Sequence, residues 1–427
     1  MKRIAIIFTL ILTIQHLFCQ EIFPVLGHVG MRNANIMVHA NSLTDEIKLH
    51  VLDSLNETVD TKTASINHEL GHTCSFQLSQ LTPNTKYTYT ISTSTFKSDQ
   101  FSFHTQQLWQ WRVDPPTFKI AFGSCTYIND TPYDRPGKAY GQSTEIFNSL
   151  LMDQPTAMIW GGDNVYFREG DWETAADMAA RYSHTRSDSN IKKVLNSIPN
   201  YAVWDDHDFG PNDSNGSFQF KNESAKVFRQ MWPNQGYVLS SGPVYGKSSI
   251  HDVDIYFLDN RFFRTGKLKD SSSQMLGKEQ ISWLMNDLIA SKASFKLIVV
   301  GSQILNTEAV FETYANHTEE RAYFLNQIAQ HQIKNIIFLS GDRHFSECSL
   351  LNLTNEIRLV DLTCSPLTSK PFSDVNEKNL NRIDKSIVTQ QNYALIHFSG
   401  PLKKRMLQLE LKDQQGKSLW NQSFQMN

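Results

Sequence analysis

Four short polar segments, each directly after an apolar run typical of a buried β-strand, constrain this chain of 427 residues more than any other feature. They span residues 123–125, 162–166, 205–208 and 341–344, with the sequences Gly-Ser-Cys, Gly-Asp-Asn-Val-Tyr, Asp-Asp-His-Asp and Gly-Asp-Arg-His. In α/β proteins, ligands bind at the carboxyl ends of neighbouring parallel strands. The pattern therefore predicts an α/β fold with a metal-dependent hydrolytic site built from strand ends.

Composition and charge exclude some functions. The chain is 40% hydrophobic and 19% charged, with a formal net charge of −3 and a pI of about 6.5. These values are ordinary for a globular protein and give no basic field for a nucleic-acid duplex. The length predicts two or three domains. We expect no transmembrane segment after the first residues, and we expect a monomer.

Residues 1–19 have the pattern of a secretory signal peptide. Lys2 and Arg3 precede an apolar stretch at 4–14 that is too short to span a bilayer comfortably. Lipidation of Cys19 is the alternative, but Phe18 is bulky where lipoprotein signals have a small residue. We therefore expect an exported protein in the periplasm, at the cell surface or secreted.

The remaining cysteines are Cys74, Cys125, Cys348 and Cys364. They are widely spaced and contain no C-x-x-C pair, which is too sparse for a disulfide framework in an exported protein. A bridge between Cys348 and Cys364 stays open.

Residues 20–106 are predicted to form a small all-β domain. Segments 36–40 and 47–51 alternate apolar and polar residues, as half-buried strands do. Segment 81–89 has a turn followed by an aromatic strand, and it resembles the tyrosine corner of fibronectin type III and related sandwiches. The sequence thus predicts a fibronectin type III-like domain, with a boundary at 108–117 around Pro115 and Pro116.

From residue 118 to 427 the pattern changes to alternating strands and helices. Strand-like runs occur at 118–122, 157–160, 201–204, 254–258, 297–300 and 336–339. Amphipathic helical patterns occupy 278–290 and 319–331, and strand patterns at 393–398 and 406–411 precede a turn at 414–417. This order predicts a catalytic α/β domain closed by C-terminal β-strands.

The residues of the first two segments each have two interpretations. Asp163 follows two glycines after a strand, where a carboxylate can bridge two cations or simply cap a turn. Tyr166 lies three residues later, and this spacing resembles that of purple acid phosphatases, whose tyrosine oxygen binds ferric iron. Cys125 is a strong metal ligand as a thiolate, or a small buried apolar residue.

The run 204–213 contains four aspartates, one histidine and one asparagine. So many acids would repel one another unless cations neutralise them; a solvated acidic loop is the alternative. An EF-hand is excluded, because the spacing is wrong and position 217 is Ser instead of Glu.

Taken in order, the four segments resemble the PhoD-like alkaline phosphatases, a branch of the calcineurin-like metallophosphoesterases. The resemblance spans about residues 118–410 and includes the phrases at 259–264, 276–280, 301–303 and 362–366. It implies an α-β-β-α sandwich, export, and a ferric ion held partly by thiolate and tyrosinate with calcium beside it. A generic dinuclear divalent site is the alternative. The metal ligands that follow are Cys125, Asp163, Tyr166, Asp206, Asn212, Asp342 and His344.

The function expected from these residues is hydrolysis of phosphate monoesters by a metal-activated hydroxide. The resemblance gives His207 the acid/base place, and Arg168 is a candidate phosphate clamp or an exposed loop residue. The substrate would be a small phosphate ester. Alternatives are a phosphodiesterase of phospholipase D-like activity on the same site, or a non-catalytic exported binding protein.

Overall fold

The computed structural model describes residues 22–40, 44–266, 268 and 272–425. The predicted signal peptide, with the alternative lipidated Cys19, lies outside these residues. Among the described residues, no helix is both long and apolar enough to cross a membrane.

The N-terminal region is rich in strands and forms two facing sheets with the orders β1-β2-β5 and β4-β3-β6-β7. Alternation places Ile47, Leu49 and Val51 of β3 inside, where they pack in a separate apolar core with residues of the other sheet. The strands are β1 (Phe23–Val29), β2 (Ala34–His39), β3 (Glu46–Leu52), β4 (Thr58–Ser65), β5 (Thr73–Leu78), β6 (Lys86–Ser92) and β7 (Phe101–His104).

The first sheet of the larger region has the order β10-β9-β8-β17-β18-β19, with β8, β9 and β10 parallel. Strand β17 pairs antiparallel with β8 and extends the sheet toward the C-terminal strands. Its strands are β8 (Phe118–Gly123), β9 (Ala157–Gly161), β10 (Asn200–Val203), β17 (Asn392–Ser399), β18 (Met406–Asp413) and β19 (Ser418–Gln425). The predicted turn after β18 therefore leads into one further strand.

The second sheet has the order β11-β12-β13-β14-β16-β15, with β12, β13, β14 and β16 parallel. Its two edge strands, β11 and β15, run antiparallel to their neighbours. The strands are β11 (Gly246–Ile250), β12 (Val253–Phe257), β13 (Phe295–Val299), β14 (Ile336–Ser340), β15 (Glu347–Asn352) and β16 (Arg358–Thr363).

Helices cover the outer face of each sheet, so that the layers follow the predicted order of helix, sheet, sheet and helix. One apolar core lies between the sheets, and two further cores join a sheet to its helices. The helices are α1 (Ile146–Met152), α2 (Ala175–Arg186), α3 (Ser189–Ser197), α4 (Asp206–Phe209), α5 (Lys221–Met231), α6 (Lys278–Ala290) and α7 (Thr318–Gln330). The mixed α/β fold and the predicted position of α6 are confirmed.

The N-terminal sandwich packs directly on the larger region. Phe23, Val25 and Met37 belong to the same apolar core as α2, α3 and α5. Gly27 approaches Pro233 so closely that a Cβ would lie 2.7 Å from the Pro233 side chain. The sandwich therefore keeps an apolar core of its own and contributes one face to the core of the larger region.

The strand ends that carry the four polar segments meet at one edge. A Cβ on Gly341, after β14, would lie 2.7 Å from the carbonyl oxygen of Gly161 at the end of β9. A larger residue at 341 would push the two sheets apart and separate their loops. All four described cysteines, Cys74, Cys125, Cys348 and Cys364, are free and buried, so the bridge left open between the last two is not formed.

Candidate metal centre

The side chains of Cys125, Asp163, Tyr166 and His344 converge between the two sheets. The Tyr166 hydroxyl lies 3.2 Å from Asp163 Oδ2 and 3.1 Å from His344 Nε2. Cys125 Sγ lies 3.6 Å from the same Asp163 oxygen. Four potential ligand atoms at these separations can share one ion, because typical bonds from a metal to N, O or S are about 2.0–2.3 Å.

The backbone that presents these side chains is unusual. Cys125, Asp163, Asp342 and His344 have φ angles of 62°, 50°, 71° and 54°, although none of them is glycine. Non-glycine residues avoid this left-handed region, at a cost of roughly 1–3 kcal/mol each. Such conformations collect at functional sites, and here they turn four side chains toward one pocket.

His344 is oriented by its second ring nitrogen. Nδ1 donates to the Lys370 carbonyl oxygen at 2.9 Å, and the Tyr140 hydroxyl lies 3.0 Å away on the same side. Because a carbonyl can only accept, the proton is on Nδ1 and the Nε2 lone pair faces Tyr166. This is the usual arrangement of a metal-binding histidine, whose outer nitrogen is held by a carbonyl or carboxylate.

A second group of ligand atoms adjoins the first through Asp163. One atom each from Asp163, Asp206 and His207 lies within 4.8 Å of the other two. Asp163 Oδ1 accepts a weak hydrogen bond from the His207 backbone at 3.3 Å, so its two oxygens face different groups. Asp163 thus has the position expected of a bridging carboxylate.

Asp206 belongs to this second group, whereas Asp342, although predicted as a ligand, is in none of the ligand-atom groups found among the described residues. Oδ2 of Asp206 accepts from the Asp213 backbone at 2.7 Å, whereas the buried Oδ1 accepts no hydrogen bond within the described part of the chain. The Asp342 carboxyl lies in the field of Asp205, Glu312 and Asp206, and burial together with these acids raises its pKa. Asp206 is suitably placed for a cation, and the assignment of Asp342 as a ligand stays a prediction.

Burial disfavours the ionised forms of the side chains that line this pocket. It raises the pKa of Cys125 to about 12, and it raises that of Tyr166 well above its usual range. The pKa of Asp163 is raised by burial and then by the neighbouring charge of Asp206. Only cations at the site would favour the ionised forms of all these groups together.

The donor set fits two different ions. Thiolate, phenolate, imidazole and carboxylate together suit a trivalent or borderline transition metal. The neighbouring position offers mainly carboxylate oxygens, which suit a harder cation such as Ca²⁺. Oδ1 of Asp206, which accepts no hydrogen bond within the described residues and lies 3.7 Å from Arg261, and the left-handed backbone are observations of this structure that agree with bound metal.

A third acidic group, Asp205, Asp206 and Glu312, has a cation of its own. Arg261 is fully buried; its Nε donates to Asp205 at 2.6 Å and its Nη1 donates to Glu312 at 2.8 Å. Its Nη2 makes a further short bond to each of these carboxylates. Arg261 therefore pairs with Asp205 and Glu312, and these two carboxylates have a protein cation beside them.

Only some of the aspartates in the run 204–213 are thus candidate metal ligands. Asp208 accepts hydrogen bonds from the backbones of Asn164 and Asp205, at 3.1 and 3.0 Å, and from the Tyr182 hydroxyl at 3.1 Å. Burial raises the pKa of Asp208 to about 7. Asp208 joins two ligand-bearing loops, whereas Asp206 faces the pocket.

His207 contacts both groups, since a ring nitrogen lies near Asp163 and Asp206 and its ring packs against Tyr166. Its ring centroid is 4.2 Å from that of Tyr166. Burial lowers the pKa of His207, opposed by the attraction of Asp206. The acid/base role of His207 stays a prediction.

Arg168 and Asn212 lie apart from these groups. Arg168 Nε donates to Asp134 at 3.0 Å, and its other nitrogens donate to the carbonyls of Tyr166 and Ile128. It is buried and not an exposed loop residue, and a phosphate-binding role would require these bonds to break. Asn212 is exposed on the loop after α4. Both assignments stay predictions.

Sequence reasoning missed Arg264 and Glu312. Arg264 is 4% exposed and pairs with Glu312 at 3.2 Å, but its Nη1 has no hydrogen-bond partner within the described residues. Arg261 and Arg264 belong to the phrase at 259–264, which drew attention only through the family resemblance. Glu312 follows no strand and had no signal in the sequence.

Comparisons with known proteins agree with this geometry. The profile of the PhoD-like phosphatase family matches residues 139–412. The chain is 25% identical over 337 residues to alkaline phosphatase D of Bacillus subtilis (strain 168), covering 67% of this chain and 56% of the relative. The match thus spans little more than half the length of that curated relative.

Two solved structures have a similar fold. A structure of PhoD has a TM-score of 0.79 at 16% identity, covering 96% of this chain and 90% of the other. The purple acid phosphatase PPD1 from yellow lupin (Lupinus luteus) seeds has a TM-score of 0.69 at 11% identity, covering 94% and 74%. At these identities the similarity shows the fold alone. Because the family match spans more than half of the sequence, this chain belongs to the PhoD-like phosphatase family.

Proposed function

We propose that the chain is an exported, metal-dependent phosphatase that hydrolyses phosphate monoesters. The observation that carries this proposal is the convergence of Cys125, Asp163, Tyr166 and His344 beside Asp206, with Asp163 between the two groups. A buried set of potential anions has no structural purpose unless cations neutralise it.

Bound at the two positions, the metal ions would acidify a water and neutralise the charge of the phosphate. His207, whose ring packs against Tyr166, would hold a phosphoryl oxygen or protonate the leaving alkoxide. Arg264 has a buried nitrogen without a partner in the described residues and would neutralise a further phosphate oxygen. Arg261 holds Asp205 and Glu312 in place, and so it acts through them.

We propose Fe³⁺ at the position of Cys125 and Tyr166 and Ca²⁺ at the position of Asp206 and Asp342. Support comes from the donor types, since thiolate and phenolate favour the first ion and carboxylates the second. A site for two divalent ions is the alternative.

The direct test is turnover of chromogenic phosphate esters. The purified protein is stripped with a chelator, its metal content is measured, and iron and calcium are added back separately and together. We expect hydrolysis to disappear with the metals and to return when both are present. Full activity in protein confirmed to be free of metal would refute the proposal.

Cys125→Ser tests the iron assignment. Charge transfer from thiolate and tyrosinate to ferric iron should colour the loaded protein, and a hydroxyl is a poorer ligand than a thiolate. We expect Cys125→Ser to change the absorption spectrum and to lose iron faster on dialysis. Free Cys364→Ser is the matched control, because that thiol is buried and contacts Phe122 and Asn392. Equal spectra and iron contents in the wild type and Cys125→Ser would remove Cys125 from the centre.

A phosphodiesterase is the second candidate function. A diester needs an open pocket, and Tyr140 and Phe372, on either side of His344, are 37% and 40% exposed. The ratio of kcat/KM for a chromogenic monoester and diester decides between the two, and we expect the monoester to be favoured.

We also propose that the N-terminal sandwich is fibronectin type III-like. Sheets of three and four strands support this assignment, together with the Tyr87 hydroxyl, which accepts a hydrogen bond from the Thr82 backbone at 2.9 Å. This is the upstream bond expected of a tyrosine corner.

A further inference from the structure

Phe311 and Phe372 form an exposed aromatic pair contributed by two loops that are distant in sequence. Their side chains are 58% and 40% exposed, and the ring centroids are 6.4 Å apart at an interplanar angle of 71°. This is an edge-to-face contact, which stabilises the pair but buries little of either ring. Two adjacent exposed phenylalanines are a feature of interaction sites more than of ordinary surfaces.

Both phenylalanines are attached to the backbone that carries the metal centre. The Phe372 backbone donates to the carbonyl oxygen of His344 at 2.8 Å. Phe311 directly precedes Glu312, which lies in one acidic group with Asp206. The pair is thus joined through the backbone to the candidate ligand His344 and to the acidic group that contains Asp206, and its exposed rings mark this side as the mouth of the pocket.

Phe311 is held in place by a residue between two candidate ligands. The Arg343 guanidinium lies 4.7 Å from the Phe311 ring centroid, and Arg343 separates Asp342 from His344 in the chain. Glu377 fixes this guanidinium with two hydrogen bonds of 2.9 and 2.7 Å. The ring thus rests on a rigid, charge-paired support.

The backbone of Phe311 is strained, with a φ angle of 46°. A left-handed conformation is rare for a bulky residue, and this side chain does not recover the cost by burial. Strain that presents an aromatic ring to solvent indicates a binding role.

We propose that Phe311 and Phe372 form a subsite for the organic group of the phosphate ester, and that this subsite selects flat apolar groups such as an aryl or benzyl ring. The inference rests on the proposed function, because the phosphate must be held at the metal centre. A phosphate bound there directs its ester oxygen toward the mouth, where the attached ring stacks on the pair.

The test uses two phosphonates that carry the same charged group and resist hydrolysis. Dissociation constants of methylphosphonate and benzylphosphonate are measured calorimetrically with the metal-loaded full chain. We expect the wild type to bind benzylphosphonate at least about 5-fold more tightly, and Phe311→Ala and Phe372→Ala to reduce this preference to below about 2-fold. Phe311→Leu, which retains apolar volume but no ring, should give an intermediate preference.

Trp111→Ala is the control, because Trp111 is fully exposed in the irregular segment between the sandwich and β8. It should keep the wild-type preference. Equal binding of the two phosphonates by the wild type, or a preference that survives in both alanine variants, would overturn the subsite without affecting phosphate binding. No binding of either phosphonate, together with no metal-dependent hydrolysis, would overturn the proposed function and the subsite with it.

Discussion

The metal centre and the junction of the N-terminal sandwich bury polar groups in opposite ways. At the junction, His28 Nδ1 lies 2.8 Å from the Tyr201 hydroxyl and 3.0 Å from Ser248 Oγ, so a buried imidazole has neutral partners. Arg186 lies 2.9 Å from His39 Nε2 and donates to the Met231 carbonyl at 2.8 Å. These pairings connect the sandwich to the larger region.

At the metal centre the neighbours are acids instead. Burial and the charge of Asp206 both raise the pKa of Asp163, and four non-glycine residues have left-handed backbones. Such an arrangement lowers the free energy of unfolding, and contacts elsewhere in the molecule must offset this loss. From this difference we infer that the polar groups of the junction stabilise the fold. Those of the pocket are arranged to bind a cation, which supplies the missing positive charge.

The largest effect is expected from removing a buried cation in each region. Arg261→Met removes the ion-pair partner of Asp205 and leaves Glu312 with Arg264 alone, and Arg405→Met leaves the buried Asp252 unpaired beside the boundary segment. Each should cost about 3–5 kcal/mol of unfolding free energy, because removing one partner of a buried pair strands the other charge. Urea titrations of both variants measure this loss.

The two arginine variants differ in their expected effect on metal. Only Arg261→Met should also weaken metal retention, since Asp205 and Glu312 adjoin Asp206. Equal metal content in the two purified variants would show that Arg261 has no specific role at the centre, and the proposed contrast would fail.

A second prediction concerns the carboxylate between the two metal positions. Asp163→Asn should lower kcat by at least ~100-fold, as expected when an electrostatic contact to the reacting group is removed. Asp213→Asn should have little effect, because Asp213 contributes its backbone to Asp206 and its exposed side chain tolerates an amide. Small, equal losses in both variants would contradict the bridging assignment.

The strand ends were predictable from the sequence because an apolar run followed by glycine and acid is a local signal. It located β8, β9, β10 and β14, and it brought the candidate ligands Cys125, Asp163 and His344 into one pocket. The roles of the acids in the run 204–213 were harder to predict, because the sequence does not show where each carboxylate points. Asp206 faces the pocket, whereas Asp208 accepts hydrogen bonds from backbone amides. Arg261 and Glu312 pair through tertiary contact across distant loops, which no local pattern reports.

Buried His28 at the junction should make the free energy of unfolding depend on pH. Burial lowers the pKa of His28 from 6.5 to about 4. Between pH 6.5 and pH 4, His28 is protonated in the unfolded chain but neutral in the folded chain. The free energy of unfolding is therefore highest above pH 6.5 and decreases as the pH falls toward 4. His28 alone should remove about 2 kcal/mol between pH 7 and pH 5.

The measurement compares urea unfolding at pH 7 and pH 5 for the wild type and His28→Gln. The variant should lose less stability between the two pH values than the wild type does. His331→Gln, at an exposed position after α7, should keep the wild-type pH dependence. If His28→Gln has that same dependence, His28 is not the titrating group.

The smallest expected effect tests pairing within the sandwich itself, using two tyrosines on one strand. Tyr87 accepts from the Thr82 backbone at 2.9 Å, whereas the hydroxyl of the fully buried Tyr89 has no partner within the described residues. Tyr87→Phe should therefore cost about 1 kcal/mol of unfolding free energy, the net value of one hydrogen bond. Tyr89→Phe should be neutral or slightly stabilising, because it removes a hydroxyl that gives up its hydrogen bonds to water when the chain folds. Urea titrations at pH 7 compare the two variants, which delete the same atom from neighbouring positions of β6. Equal losses would mean that the Tyr89 hydroxyl is paired in solution, in which case the sandwich satisfies its buried polar groups as fully as the junction does.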